Sequence, residues 1–154
     1  MQVGIATYEG PDDLPDLIPL FPLPEALLLP RGQMPLNIFE PRYLAMVDDA
    51  LKGARMIGMI QPEVEYGSGV PRLFHVGCAG RITQFAETGD GRYLIQLTGV
   101  ARFRVVEEEV VPTPYRQCRI DAAPFAIDFT PRAGEGDVDR AALIVTLKAY
   151  LEAN

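Results

Sequence analysis

Residues 90–105 read DGRYLIQLTGVARFRV, and this stretch decides the fold class. Asp90-Gly91 is the sharpest turn signal in the chain, because glycine accepts the positive φ of a tight hairpin. The residues that follow alternate. Tyr93, Ile95 and Leu97 fall on one face of a strand over residues 92–98, and Ala101, Phe103 and Val105 alternate with Arg102 and Arg104 in a further strand over 101–106. Upstream, residues 74–87 read as one long strand, bent at Gly77 or Gly80, where glycine suits a bulge. Downstream, a Pro-Thr-Pro turn precedes another strand at 115–120. Strands in such short succession, joined by turns, predict a small closed or half-open barrel.

Working outward to the N-terminal side, residues 17–21 and 26–29 are short apolar runs, each ended by a proline, and read as strands near a sheet edge. Arg31-Gly32 is a turn, and 33–39 is a third extended stretch. The period then changes. Residues 41–52, PRYLAMVDDALK, carry proline at the first helical position. Tyr43, Val47, Ala50 and Leu51 form one apolar stripe, and Gly53 follows as a C-terminal cap. Residues 56–61 are strand-like and 63–73 a loop. Residues 1–16, polar and broken by prolines, read as a loose arm. Residues 122–136 are irregular. Asp137 can cap a last helix to about Leu151, striped by Leu143, Ile144, Leu147, Tyr150 and Leu151. The expected division is an arm at 1–16, a β domain at 17–122, and a linker with a helix packed on or extending from it at 123–154.

Composition narrows the function. The chain has 154 residues, enough for one ordinary domain. Its net charge of −7 speaks against a phosphate backbone as partner. No stretch reaches the ~18 uninterrupted apolar residues of a membrane span, and the first residues hold no basic signal, so a cytoplasmic location is expected. Cys78 and Cys118 belong to no C-x-x-C motif and read as reduced, buried thiols.

The search for chemistry returns little. Ser68 sits between glycines in the 63–73 loop, with no strand–turn–helix elbow, and reads as a turn residue. His75 is the lone histidine and reads as a hydrogen-bonded residue rather than a base. Lys52 and Lys148, the two lysines, fall at polar helix positions, leaving no serine–lysine dyad. There is no phosphate loop or dinucleotide fingerprint, so no cofactor is expected. Asp48 and Asp49 diverge on their helix. Glu107, Glu108 and Glu109 read as a solvated strand edge, with Mg²⁺ or Ca²⁺ affinity left open. Arg31, Arg42, Arg81, Arg102 and Arg104 suit ion pairs or an anion site, with Glu40 a partner for one of them.

Six blocks in order carry a resemblance: IPLFPL at 18–23, LLLPRGQMPLNIFEPRY at 27–43, GMI at 58–60, VGCAGRI at 76–82, the 90–105 stretch and Tyr115. Together they resemble the Lon N-terminal, substrate-binding domain, and the resemblance is closer to the stand-alone bacterial members, which lack ATPase and peptidase modules, than to full-length Lon proteases. The resemblance implies an α+β, mainly β fold: a PUA-like pseudo-barrel with one helix after the third strand and a C-terminal helix. The chain departs from the family at Asn37, where many relatives have histidine. It also ends within the first long helix, where stand-alone members continue into a bundle.

The fold-defining residues are Phe39, Glu40, Pro41, Arg42 and Tyr43, with Asp90, Gly91, Arg102 and Phe103. Phe39, Tyr43, Phe103 and Tyr115 are expected to dominate the core, and Glu40 and Arg42 to tie the helix start to a neighbouring strand. The function expected is non-catalytic binding of unfolded or exposed apolar protein segments, or of a protease or chaperone partner, in protein quality control. The contact residues expected are Leu27, Leu28 and Leu29, with Phe125, Ile127 and Phe129, provided these are exposed rather than buried. The alternative is an RNA-binding PUA-like module. An unrecognised enzyme site is the third reading.

Overall fold

The computed structural model describes residues 1–63, 69–131 and 139–153. A two-residue hairpin opens the chain, β1 (Gln2–Val3) with β2 (Ala6–Thr7). The larger sheet holds β3 (Leu17–Pro22), β4 (Gln33–Ile38), β5 (Met56–Ile60), β6 (Val76–Glu87), β7 (Tyr93–Glu109) and β8 (Gln117–Asp121). Helix α1 (Pro41–Lys52) links β4 to β5, and α2 (Arg140–Ala153) ends the chain.

The strand order is β4-β7-β6-β5-β3-β8, and β8 pairs again with β7. Five strands therefore close a ring, β7-β6-β5-β3-β8, with β4 attached outside it. Closure removes the free edges that would otherwise template aggregation. β4 is the remaining edge strand, which is why Pro35 is tolerated within it. The expected pseudo-barrel is present. The stretch at 92–106, read as two strands, is one strand of 17 residues. Its length lets it serve two neighbours along one edge: residues 93–98 pair with β4 and residues 104–109 with β8. β6 covers the opposite edge from Tyr93 to Arg104. Gly99 does not end the strand. It permits a close approach, since a Cβ there would stand 2.0 Å from the Leu29 carbonyl oxygen. Gly91, by contrast, supplies the φ of +82° that turns the β6–β7 hairpin.

Alternation along β5 explains two buried clusters. Ile57 and Met59 pack with Tyr43, Met46 and Val47 of α1, while Met56 and Ile60 pack with Ile18, Leu20 and Phe103. β5 is thus buried on both faces. Met46, absent from the expected stripe, is fully buried. α1 is held at two further points: the Tyr93 hydroxyl donates to Asp48 at 2.8 Å and the Tyr115 hydroxyl to Asp49 at 2.6 Å. The two aspartates do diverge, each to a different tyrosine.

Several expectations are corrected. Residues 1–16 are not a loose arm: Val3, Tyr8 and Leu14 are buried in the Phe103 cluster, and Tyr8 exchanges backbone hydrogen bonds with Met1. Their apolar residues are too widely spaced to show a period. Residues 26–29 form no strand, because no ladder partner lies beside them. With β1 and β2 present, α1 follows the fourth strand rather than the third. Phe39 is 60% exposed, not core, and lies 5.8 Å beneath the Arg92 guanidinium. Glu40 and Arg42 pair with each other at 2.8 Å instead of tying the helix to a strand. Tyr43 stacks on Phe21 at 4.3 Å, which does that work.

Glu107–Glu109 is not a free edge either. Arg116 grips Glu108 through two nitrogens at 2.5 and 2.8 Å, and Arg119 holds Glu109 at 2.5 Å, across the β7–β8 seam. Residues 123–129 are a 3₁₀ segment rather than a linker, and Phe129 is inserted in the core. The α2 stripe of Leu143, Ile144, Leu147, Tyr150 and Leu151 is exposed throughout. Its first turn is capped by Asp139, whose carboxylate accepts from the Ala142 N–H at 2.9 Å. Asp137 and Ser68 lie outside the described residues.

Candidate functional site

The edge of β7 between its β4 half and its β8 half, residues 99–103, has no strand beside it. Non-strand chain fills this gap. Pro30 and Arg31 form the corner of a turn closed by Gly32 N–H to Leu29 O at 2.8 Å, with Arg31 at φ +68°. That turn binds Gly99 in both directions at 2.8 Å: Arg31 N–H to the Gly99 carbonyl, and Gly99 N–H to the Gly32 carbonyl. Gln61 pins the other end, donating Nε2–H to the Ala26 carbonyl at 3.1 Å. Residues 26–29 are thereby suspended across the barrel wall between two fixed points.

Beside them runs a groove of about 410 Å³. Leu27 and Leu29 line it together with Met59, Phe74, Val76 and Cys78. Leu27 is 69% and Leu29 56% exposed, whereas Leu28 is 4% exposed and anchors the segment. Phe74 and Val76 are exposed too. The exposed apolar area is thus gathered in one concavity rather than scattered as single surface leucines.

The polar groups are few. Arg102 is the one Arg, Lys, Asp or Glu among the lining residues. Its Nε and Nη2 donate to Asp128 at 3.0 and 2.8 Å, and its backbone N–H donates to the same carboxylate at 2.9 Å. Burial pushes the Asp128 carboxyl up, but these Arg102 hydrogen bonds outweigh it and hold the group below its ordinary range. Phe125 stacks on the Arg102 guanidinium at 4.7 Å. Burial pushes the Cys78 thiol up to about 12, so it is a neutral wall group and not a nucleophile. His75 lies exposed on the rim. Among the described residues no group of three or more His, Cys, Asp or Glu is placed to hold a metal ion.

The structure sorts the residues expected to contact a partner. Leu27 and Leu29 are presented and Leu28 is not. Phe125 is half-buried under Arg102, Ile127 is exposed, and Phe129 is 3% exposed in the core. Arg102 joins the two segments, facing the groove on one side and the 3₁₀ segment on the other. Sequence reasoning missed Phe74, Val76 and Cys78 as groove residues, although their i, i+2, i+4 spacing places them on one strand face. It also missed Asp128, whose only signal is a lone carboxylate among apolar residues.

The fold is a barrel closed through one shared long strand, with an apolar groove at the shared edge. The chain belongs to the ATP-dependent protease La (LON) substrate-binding domain family, whose pattern matches residues 17–153. It is 32% identical over 113 residues to Lon protease 2 of Myxococcus xanthus, covering 72% of this chain and 14% of that one. It is 30% identical over 139 residues to Lon protease of Anaeromyxobacter dehalogenans, covering 89% and 16%. The chain thus spans under a fifth of these relatives. Among solved structures, the Lon N-terminal domain protein from Xanthomonas campestris matches with a TM-score of 0.54 and 32% identity, over 68% of this chain and 57% of that one. The N-terminal domain of a Mycobacterium avium complex Lon protease, 15% identical with a TM-score of 0.54 over 68% of this chain and 53% of that one, shares the fold. No described helix is long and apolar enough to cross a membrane.

Proposed function

We propose that this chain is a non-catalytic module that binds exposed apolar segments of unfolded proteins, and that it does so through the groove between residues 26–29 and the start of β6. The observation that carries this reading is the pair Leu27 and Leu29, held out at the rim by the buried Leu28, by the Gln61 side chain at one end and by backbone hydrogen bonds to Gly99 at the other. A segment presented so rigidly loses little entropy on binding. The partner is an unfolded chain, or a protease or chaperone that receives one. The compartment that fits two buried free thiols is the cytoplasm.

The test is fluorescence anisotropy with labelled casein, which is unfolded without denaturant. The Leu27→Ser/Leu29→Ser variant removes apolar area equivalent to about 2 kcal/mol, so its affinity falls more than about tenfold. Unchanged affinity overturns the groove as the site. The same preparation is expected neither to cleave the casein nor to hydrolyse ATP, and activity that survives repurification overturns the non-catalytic reading.

A further inference from the structure

Residues 26–29 have a second property besides apolar side chains. Neither the N–H nor the carbonyl of Leu27 or Leu28 has a hydrogen-bond partner among the described residues. Backbone groups in folded chains are nearly always paired, and an extended segment with unpaired groups is a template for another strand. Exposure alternates along it, with Leu27 and Leu29 out and Leu28 in, as in a strand that has lost its neighbour. Pro30 stops the segment and Gln61 holds its start, so the unpaired stretch is short and fixed in place. The charge of the site points the same way. Arg102 is the one Arg, Lys, Asp or Glu in the groove, and one guanidinium nitrogen, Nη1, is left unused by Asp128. It suits an acidic neighbour on the incoming chain and disfavours a basic one.

We propose that the occupant binds by strand addition: an extended apolar peptide pairs its backbone with the N–H and carbonyl of Leu27 and sets an Asp or Glu side chain against Arg102. This rests on the groove reading above and specifies its chemistry. Backbone pairing supplies affinity that any sequence can use, and the groove selects alternate apolar side chains. A domain of this kind accepts many unfolded segments while rejecting those that are basic or already folded, whose backbones are paired.

The experiment uses the full chain and a labelled peptide of alternating Leu and Val with one terminal Asp and an amidated C-terminus. Two versions carry N-methyl groups on alternate residues, one for each strand edge. N-methylation removes donors while keeping every side chain. One edge-methylated version is expected to bind about tenfold more weakly, from one or two lost hydrogen bonds, while the other binds as the parent does. Replacing Asp by Lys is expected to weaken binding by a factor of about five, an effect that shrinks at high salt. Leu27→Pro, which keeps an exposed apolar side chain and deletes one donor, is expected to reproduce part of the N-methyl loss. Equal binding of the parent and both methylated peptides overturns strand addition and leaves the groove reading intact. Preference for Lys over Asp, or for an acid-free peptide with a free C-terminal carboxylate, overturns the Arg102 assignment. Failure of the parent peptide to bind a chain that still binds casein overturns strand addition. Failure of both overturns the groove reading itself.

Discussion

Gly99→Ala tests whether the groove wall and the barrel are one mechanical unit. The new Cβ would stand 2.0 Å from the Leu29 carbonyl oxygen, 2.8 Å from the Leu29 carbonyl carbon and 3.3 Å from the Pro30 Cα. Carbon and carbonyl oxygen sit comfortably at roughly 3.3 Å, so the Leu29–Gly32 turn must retreat by more than about 1 Å. That retreat breaks both backbone hydrogen bonds that tie the turn to Gly99, each now 2.8 Å. Two such bonds contribute about 1 kcal/mol apiece. The overpacking that remains costs a further ~1–3 kcal/mol. The expected loss is therefore roughly 3–5 kcal/mol, a large part of the ~5–15 kcal/mol that holds a domain of this size together. In urea, with a slope of about 2 kcal/mol per molar, the midpoint falls by roughly 1.5–2.5 M. Gly89→Ala is the control. Its Cβ meets nothing within 4 Å, and its midpoint is expected to stay where it is. A Gly99→Ala midpoint within about 0.3 M of the parent refutes the idea that this contact fixes the segment.

Three other outcomes follow from particular residues. Cys78 and Cys118 are buried, burial raises both thiols from 9.0 to about 12, and so a disulfide reagent at pH 8 is expected to leave both untouched until the chain unfolds. Since the folded value lies above the unfolded one, their contribution to stability is complete below pH 9 and is lost as pH rises toward 12, giving a measurable alkaline fall in thermal midpoint. Asp128 and Glu108 behave oppositely. Arg102 holds the first below 3.8, and a hydrogen bond from Arg116 holds the second below 4.5, so the stability they supply is present above those values and lost on further acidification. An Asp128→Asn/Glu108→Gln variant is expected to flatten the acid limb of a pH–stability curve, and an unchanged limb refutes both assignments. Leu147→Glu on α2 is expected to change barrel stability by less than about 0.5 kcal/mol, because no residue of that helix is buried. A loss above about 1 kcal/mol in a urea titration would show α2 packed on the barrel.

Much of this was legible in the residues themselves because the governing forces are local. The period of residues 41–52 and the proline at its start place α1 to the residue. Asp90-Gly91 places the β6–β7 hairpin, since few dipeptides accept that turn. Alternation marks the strands, and six ordered blocks mark the family. What failed was whatever depended on a neighbour distant in sequence. The two strands expected over 92–98 and 101–106 are one, and the Gly99 between them is a contact point for Leu29, some seventy positions earlier. Hydrophobicity alone places Phe39 in the core, yet the helix start turns it outward. Of the three glutamates that read as a solvated edge, Glu108 and Glu109 are paired because β8 brings Arg116 and Arg119 across from them.

The candidate site divides in the same way. Local sequence determined that residues 26–29 are apolar and bounded by prolines on either side. Tertiary structure decided that Leu28 is anchored while Leu27 and Leu29 stand out, because burial belongs to the space around a side chain and not to the side chain. It also decided that Arg102 and Asp128 meet. Their pairing depends on a gap between β4 and β8 along one long strand, and such a gap exists only once the barrel has closed.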